Sequence, residues 1–129
     1  MQLNMQSDKP IFSQIAEQIA DAIFTGAFAE ESQIPSTTEL ATRFNINPAT
    51  VLKGMNILVD EGLIYKKRGL GMFVCQGAAE KIKEKRQHNF YRQYIISLIT
   101  EAEKLGLTKQ DLLALIEKRY GGDTDDTRD

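Results

Sequence analysis

Residues 34–62 read IPSTTELATRFNINPATVLKGMNILVDEG, and this stretch predicts two short helices joined by a tight turn. Ser36 with Glu39 three residues later is a capping box, which places the start of the first helix at Thr37. Asn47 is a good N-cap, and Pro48 fits the first helical position, where no backbone N–H is needed. A short capped helix that follows a tight turn is typical of proteins that place a helix in the major groove of DNA.

The apolar residues of both helices follow helical spacing. Leu40, Ala41 and Phe44 fall on one face of the first helix. The expected apolar stripe of the second helix consists of Val51, Met55, Leu58 and Val59. Gly62 suits the position just beyond the end of that helix. The two helices are therefore expected to share one small core.

A predicted β-hairpin follows the second helix. Residues 63–67 and 72–75 are β-prone and flank Arg68-Gly69-Leu70-Gly71, where the glycines permit positive φ and a close approach to a phosphate. For the two glycines alone, a plain hairpin turn is the better interpretation. The cationic residues Lys66, Lys67 and Arg68 next to the helix pair favour a hairpin, or wing, that contacts nucleic acid.

Several motifs in residues 10–74 occur together in the order of one known family. They are Pro10-Ile11-Phe12-Ser13-Gln14-Ile15, Ile34-Pro35-Ser36, Glu39-Leu40-Ala41, Asn47-Pro48-Ala49-Thr50-Val51, Glu61-Gly62-Leu63-Ile64 and Arg68-Gly69-Leu70-Gly71-Met72-Phe73-Val74. In these motifs the chain resembles the GntR family of bacterial transcription regulators, in particular its short YtrA-like branch. The resemblance implies a winged helix-turn-helix that binds DNA, and regulators of that branch often control transporter operons.

The predicted fold class is mainly α-helical with a small β-hairpin, in three segments. These are a winged helix-turn-helix DNA-binding domain over 1–77, a helical dimerisation extension over 78–121, similar to that of the YtrA-like branch, and a disordered acidic tail over 122–129. Met1 to Lys9 is expected to be a loose arm. Pro10 opens the first helix at its first helical position, and the core stripe of this helix is Ile11, Ile15, Ile19, Ala22 and Ile23. A long helix from Ala79 to about Leu105 and a final helix capped by Thr108 complete the prediction.

The candidate DNA-binding residues lie at the helix starts and on the wing. They are Ser36, Thr38, Asn47, Ala49, Thr50, Lys53, Lys66, Arg68, Gly69 and Gly71. Helix N-termini favour phosphate, although Ser36 could equally be a cap alone. The resemblance implies that Thr50 contacts a phosphate or a base. It also implies that Lys53 occupies a position where a basic residue is common in the family. The family often has arginine at the positions of Thr38 and Pro48, and the lack of arginine here suggests readout through DNA shape or the wing.

The two C-terminal helices carry more apolar surface than they can bury against each other. The predicted dimer-interface residues are Phe90, Tyr91, Tyr94, Ile95, Leu98, Ile99, Leu112, Leu113 and Ile116. The economical partner is the same helix pair of a second chain, packed about a two-fold axis, and such a homodimer predicts a palindromic operator. The alternative is packing on the chain's own DNA-binding domain. It is disfavoured because the first half of the long helix is too charged to pack inward.

The charge of the chain is distributed unevenly. The net charge is −2, but seven basic residues lie between positions 66 and 86: Lys66, Lys67, Arg68, Lys81, Lys83, Lys85 and Arg86. A local positive stripe can attract phosphates while the remaining surface stays acidic. For Lys81 to Arg86, a solvated helix face is the slightly favoured interpretation. The single cysteine, Cys75, excludes an internal disulfide and is interpreted as a buried thiol in a strand.

The sequence gives no sign of an enzyme, a metal site or a cofactor. His88 is the only histidine, and neither a cysteine cluster nor a glycine-rich phosphate loop accompanies it. No apolar run approaches the roughly 20 residues that cross a bilayer, and the N-terminus lacks signal-peptide features, so a cytoplasmic protein is expected. Whether a small-molecule effector binds this protein stays an open question. The alternative function is a winged helix that binds another protein and no DNA.

Overall fold

The computed structural model describes residues 2–122, which form helices and one hairpin. The helices are α1 (Ile11–Thr25), α2 (Thr37–Phe44), α3 (Pro48–Asp60), α4 (Ala78–Phe90), α5 (Ile96–Lys104) and α6 (Lys109–Tyr120), with a π-helical segment at Tyr91–Ile95 between α4 and α5. Strands β1 (Ile64–Lys67) and β2 (Gly71–Val74) pair antiparallel, with Ile64 opposite Val74. The chain divides into two compact units, Met1–Arg86 and Gln87–Asp129. The predicted fold class is confirmed.

One apolar core holds the first unit together. It comprises Ile15, Ala16, Ile19, Ile23, Ile34, Leu40, Ala41, Val51, Met55, Leu58, Leu63, Ile64, Val74, Ala78 and Ile82. Each fully buried aliphatic side chain stabilises the fold by roughly 1.5–3 kcal/mol. The expected stripe of α1 is confirmed at Ile15, Ile19 and Ile23, whereas Ile11 and Ala22 are only partly buried. The core thus joins α1, α2, α3, the hairpin and the start of α4.

The predicted starts of α2 and α3 are confirmed. The Ser36 hydroxyl accepts a hydrogen bond from the Glu39 N–H at 3.0 Å, and the Glu39 carboxylate accepts one from the Ser36 N–H at 3.2 Å. The Asn47 side chain accepts from the Ala49 N–H at 2.8 Å, and Pro48 is the first residue of α3. Each bond satisfies a donor that a helix start leaves without an intrahelical partner.

A short segment, residues 31–34, runs alongside β2. The backbone bonds join the Glu31 N–H to the Val74 carbonyl (2.8 Å), the Val74 N–H to the Ser32 carbonyl (3.0 Å) and the Ile34 N–H to the Met72 carbonyl (2.9 Å). Because β2 is hydrogen-bonded on both edges, the wing is fixed to the segment that leads into α2.

The predicted loose arm at the N-terminus is wrong for the described residues. Gln14, a buried polar residue of α1, accepts a hydrogen bond from the Asn4 N–H at 2.7 Å and donates to the carbonyls of Asn4 and Lys9 at 2.9 and 3.0 Å. Leu3 is partly buried against the core. Pro10 is the N-cap residue of α1 and not its first helical residue. A buried amide with three partners therefore ties the arm to α1.

Three further expectations need correction. Val59 lies outside the apolar stripe of α3 and is 37% exposed, because its position has turned away from α1. Cys75 follows β2 and is only partly buried. The first half of the long helix does pack inward, since Ala78 and Ile82 belong to the core while its charged residues face outward. Four-residue spacing lets two small or apolar side chains reach the core from an otherwise charged helix.

The second unit contains the end of the long helix and α6. The predicted long helix is present, but the π-helical segment at Tyr91–Ile95 interrupts it. Thr108 caps α6 as predicted, in a reciprocal pair of hydrogen bonds with Asp111. Most of the predicted disordered tail, residues 123–129, lies outside the described residues. Within residues 2–122, none of the helices has the length and apolar character needed to span a membrane.

Candidate nucleic-acid interface

Helix α3 has one buried side and one exposed side. Val51, Gly54, Met55 and Leu58 are buried. The exposed residues are Pro48, Ala49, Leu52, Lys53, Asn56, Val59 and Asp60, and Thr50 is partly buried. The predicted residues Asn47, Ala49 and Lys53 are thus accessible at the start of the helix, which is the part of a recognition helix that reaches base edges.

The start of α2 lies beside the middle of α3. The Thr37 hydroxyl is 3.5 Å from the Met55 sulfur. Ser36 is partly buried and its hydroxyl caps the helix, so the capping role is confirmed. Thr38 is exposed and lines a shallow groove on α2 together with Arg43. Arg43 is a basic residue that the sequence interpretation missed, although its place in the last turn of a surface helix was a usable signal.

The start of α1 lies on the other side of α3. The Lys53 ammonium lies 4.0 Å from the centre of the Phe12 ring, within the range of a cation–π interaction. Next to it, a Cβ atom on Gly54 would come within 2.7 Å of the Phe12 carbonyl oxygen. The backbones of α1 and α3 therefore approach each other closely, and Phe12 holds the Lys53 side chain on the α1 side of the recognition helix.

The wing presents its basic residues in different ways. Lys66 and Arg68 are exposed, whereas the Lys67 ammonium lies 4.5 Å from the centre of the Phe73 ring and 5.9 Å from that of Tyr65. Tyr65 and Phe73 are opposite each other on the two strands, with ring centres 6.0 Å apart. Lys66 and Arg68 are thus the wing cations that lie over no aromatic ring.

The wing tip is held by a residue from outside the hairpin. The Gln33 side chain donates a hydrogen bond to the Leu70 carbonyl at 2.6 Å. Gly69 and Gly71 adopt φ values of +80° and +123°, and the Gln33 amide nitrogen lies 2.7 Å from the place of a Cβ on Gly71. The positive φ of Gly71 therefore favours glycine, and a side chain there would also have to displace the end of the Gln33 side chain. A pattern of nearby residues could not reveal this contact, because Gln33 and Leu70 are 37 positions apart.

Two basic residues of the predicted positive stripe have acidic partners. Lys85 pairs with Glu61, and the Arg86 guanidinium lies 3.4 Å from the Asp21 carboxylate and 4.6 Å from the centre of the Phe24 ring. These pairs join α4 to α3 and α1. Their charges are partly neutralised, so they attract phosphate less than Lys66 or Arg68 does.

The predicted dimer-interface residues of the second unit are accessible. Phe90, Tyr91, Tyr94, Leu98, Ile99, Leu113 and Ile116 are between 41% and 56% exposed. Ile95 and Leu112 are partly buried. Among the described residues 87–122, Ala102 alone is buried. This unit therefore exposes apolar and aromatic side chains that soluble proteins usually cover.

Comparisons with known proteins place this geometry among bacterial regulators. Residues 12–74 match the model of the gntR family of bacterial regulatory proteins. The HTH-type transcriptional repressor YtrA of Bacillus subtilis is 30% identical over 112 residues, which cover 87% of this chain and 85% of that protein.

Solved structures give the same result for the fold. The crystal structure of a transcriptional regulator of the GntR family from Bacteroides thetaiotaomicron is 31% identical and has a TM-score of 0.73, covering 87% of this chain and 97% of that chain. The DNA-binding domain of AraR, solved in complex with an operator, is 29% identical with a TM-score of 0.54, over 58% of this chain and 96% of that chain.

Proposed function

This chain belongs to the GntR family of bacterial regulatory proteins, and on that basis we propose that it is a transcriptional repressor that binds a palindromic operator as a homodimer. The observation that carries the proposal is the capped recognition helix α3, whose start is exposed and which is followed along the chain by a wing with exposed Lys66 and Arg68. YtrA, its relative in Bacillus subtilis, is named a repressor, and the AraR domain of similar fold is bound to an operator.

The proposed DNA contacts divide into two kinds. The start of α3 enters the major groove, so Asn47, Ala49, Thr50 and Lys53 lie near base edges or the adjoining phosphates. The remaining contacts are to the backbone and the flanking groove, from Ser36, Thr38, Lys66, Arg68, Gly69 and Gly71. Exposed cations on the wing support the phosphate contacts, and so does the N-terminus of α2, because helix N-termini favour negative charge.

The proposed homodimer forms through residues 78–121, with the DNA-binding domain in residues 1–77. The exposed apolar side chains of the second unit support it, because exposing them to water in a monomer is unfavourable. A two-fold axis would place two α3 helices on one DNA duplex, and a palindromic operator mirrors that symmetry. The resemblance to the YtrA-like branch supports a transporter operon as the target.

Salt dependence tests the proposal directly. Fragments of the source genome that the full-length chain retains are sequenced, and binding to one retained duplex is measured by fluorescence anisotropy at increasing salt. Phosphate contacts release counterions, so log affinity is expected to fall linearly with log salt. Failure to retain any fragment, or an affinity that salt does not change, would favour a winged helix that binds another protein.

A further inference from the structure

The exposed face of α3 is poor in the groups that usually read guanine. Arginine is the side chain that most often donates hydrogen bonds to the N7 and O6 acceptors of guanine in the major groove, and lysine can also do so. Residues 48–60 contain no arginine, and Lys53 is their single lysine. The Lys53 ammonium lies over the Phe12 ring, 4.0 Å from its centre. It is thus held at the side of α3 that faces α1.

Apolar groups occupy the rest of the same face near the helix start. Pro48, Ala49 and Leu52 are exposed. Leu52 is 47% exposed, although the preceding residue, Val51, is fully buried in the core. Residues three apart on a helix are neighbours, so Ala49 and Leu52 form one continuous methyl-rich patch. Asn56 is exposed two turns after Ala49 and lies in line with it along the helix.

The position of Leu52 is fixed by its neighbours. On one flank of α3, Gly54 packs on α1; on the other, Met55 contacts Thr37 of α2. Helical spacing puts Leu52 on the α2 flank and Lys53 on the α1 flank, with Ala49 and Asn56 between them. Before Asp60 at the end of the helix, the centre and one flank of the face are therefore apolar or amide-bearing, and the cation lies at the opposite flank.

The chemistry of this face matches A·T base pairs. In the major groove, the C5-methyl group of thymine is the apolar group that a base edge offers, and an Asn side chain can bond adenine at N6 and N7. We propose that Ala49 and Leu52 are specificity-determining residues that pack on thymine methyl groups, so that each operator half-site is read at A·T pairs. The inference rests on the proposed function and specifies which base pairs α3 recognises.

The test begins with selection from a random duplex library by the full-length protein. Selected half-sites are expected to contain thymine at the positions that face the start of α3. Each such thymine is then replaced by deoxyuracil, which lacks only the C5-methyl group. The affinity is expected to fall about fourfold at each contacted position, as for the loss of one buried methyl-sized group.

A protein variant links the effect to its residue. Leu52→Ala removes the side chain that would contact one thymine methyl group. In this variant, deoxyuracil at the DNA position that Leu52 contacts should no longer lower the affinity. Val59→Ala is the matched control, because Val59 is another exposed apolar residue of α3 that lies near the far end of the helix. This variant should keep the full sensitivity to deoxyuracil. Both side chains are exposed, so both variants are expected to fold.

The possible failures are distinct. If the library yields no bound DNA, the proposed function fails and this inference fails with it. If DNA is bound with the expected salt dependence but the half-sites are G·C-rich, or deoxyuracil has no effect, the thymine contact is wrong while the proposed function stands. An unchanged deoxyuracil effect in Leu52→Ala would assign the methyl contact to another residue and overturn the role of Leu52.

Discussion

The side-chain amide of Gln33 lies in the space that a Cβ on Gly71 would occupy, with its nitrogen 2.7 Å from that position. The same nitrogen donates a hydrogen bond to the carbonyl of Leu70 at the wing tip. Gln33 also pairs with Phe73 through a backbone bridge. The loop before α2 and the tip of the wing are thus fixed to each other through one glutamine and one glycine.

Replacing Gly71 by alanine is expected to destabilise the wing. The φ of +123° disfavours any L side chain, at a cost of roughly 1–3 kcal/mol, and the new methyl group displaces Gln33. Chemical denaturation should show a lower free energy of unfolding. In a Gln33→Ala background the same change should cost less, because the methyl group then has room. Equal costs in both backgrounds would show that Gln33 does not limit the space.

Replacing Gly54 by alanine is expected to destabilise the first unit by about 1–3 kcal/mol, the usual cost of overpacking. In an unconstrained helix the change would stabilise by about 1 kcal/mol. Here the methyl group would lie 2.7 Å from the Phe12 carbonyl oxygen, a backbone atom that cannot rotate away. Gly121→Ala is the control, since a Cβ there would lie 3.4 Å from the carbonyl oxygens of Glu117 and Lys118. A Gly54→Ala protein with a raised melting temperature would contradict this close helix contact.

Local patterns predicted the elements of the helix-turn-helix because their signals are local. The Ser36–Glu39 box and the Asn47 cap each act within three residues, and the structure confirms both. The contact of Gln33 with Leu70 and the anchoring of the N-terminal arm by Gln14 depend on the tertiary fold. Sequence spacing carries no signal for the contact of Gln33 with Leu70. For the anchoring of the N-terminal arm, the position of Gln14 next to Ile15 in the core stripe of α1 was a hint.

Which basic side chains are available for DNA was harder to predict for the same reason, since it depends on tertiary contacts. The sequence pattern placed Arg86 in one positive stripe with Arg68 and favoured a solvated helix face for it, but it could not identify the partners of Arg86, because neither is near it in the sequence. The structure places Asp21 and Phe24 against the Arg86 guanidinium. The sequence pattern located the candidate site on α3 and the wing, and the tertiary contacts distinguish the cations that remain available for DNA.

Arg68→Ala and Lys53→Ala are each expected to weaken DNA binding by about tenfold, corresponding to one lost charge-assisted hydrogen bond of roughly 1.5 kcal/mol. If each side chain contacts a phosphate, the slope of log affinity against log salt should also fall by about one. Arg86→Ala is the matched control, because its guanidinium is paired with Asp21, and its affinity should stay near that of the unmodified protein. Anisotropy titrations measure all three. Unchanged midpoints for Arg68→Ala and Lys53→Ala would refute the contact assignment.

Leu98→Asp combined with Ile116→Asp is expected to halve the molar mass measured by light scattering. Two carboxylates in the proposed dimer interface would have to be buried without partners, which costs several kcal/mol or more. Leu70→Asp is the control, since Leu70 is an exposed apolar residue at the wing tip of the other unit. It should leave the mass unchanged. A double variant that keeps the mass of the unmodified protein would place the interface elsewhere.

The start of α6 is expected to depend on pH through Asp111. Hydrogen bonds from the Thr108 backbone N–H and from the Thr108 side chain lower the pKa of the Asp111 carboxyl below its ordinary value of 3.8. A carboxyl group whose pKa is lower in the folded state stabilises the fold above its unfolded pKa, and this stabilisation disappears as the pH falls through the folded pKa. Asp111→Asn removes the charge and keeps the shape. The unmodified protein should therefore melt at a higher temperature than the variant at neutral pH, and the difference should shrink once the pH falls below about 3.8 and disappear as the pH falls through the lower folded pKa. A difference that persists unchanged at lower pH would show that the carboxylate charge does not stabilise the cap.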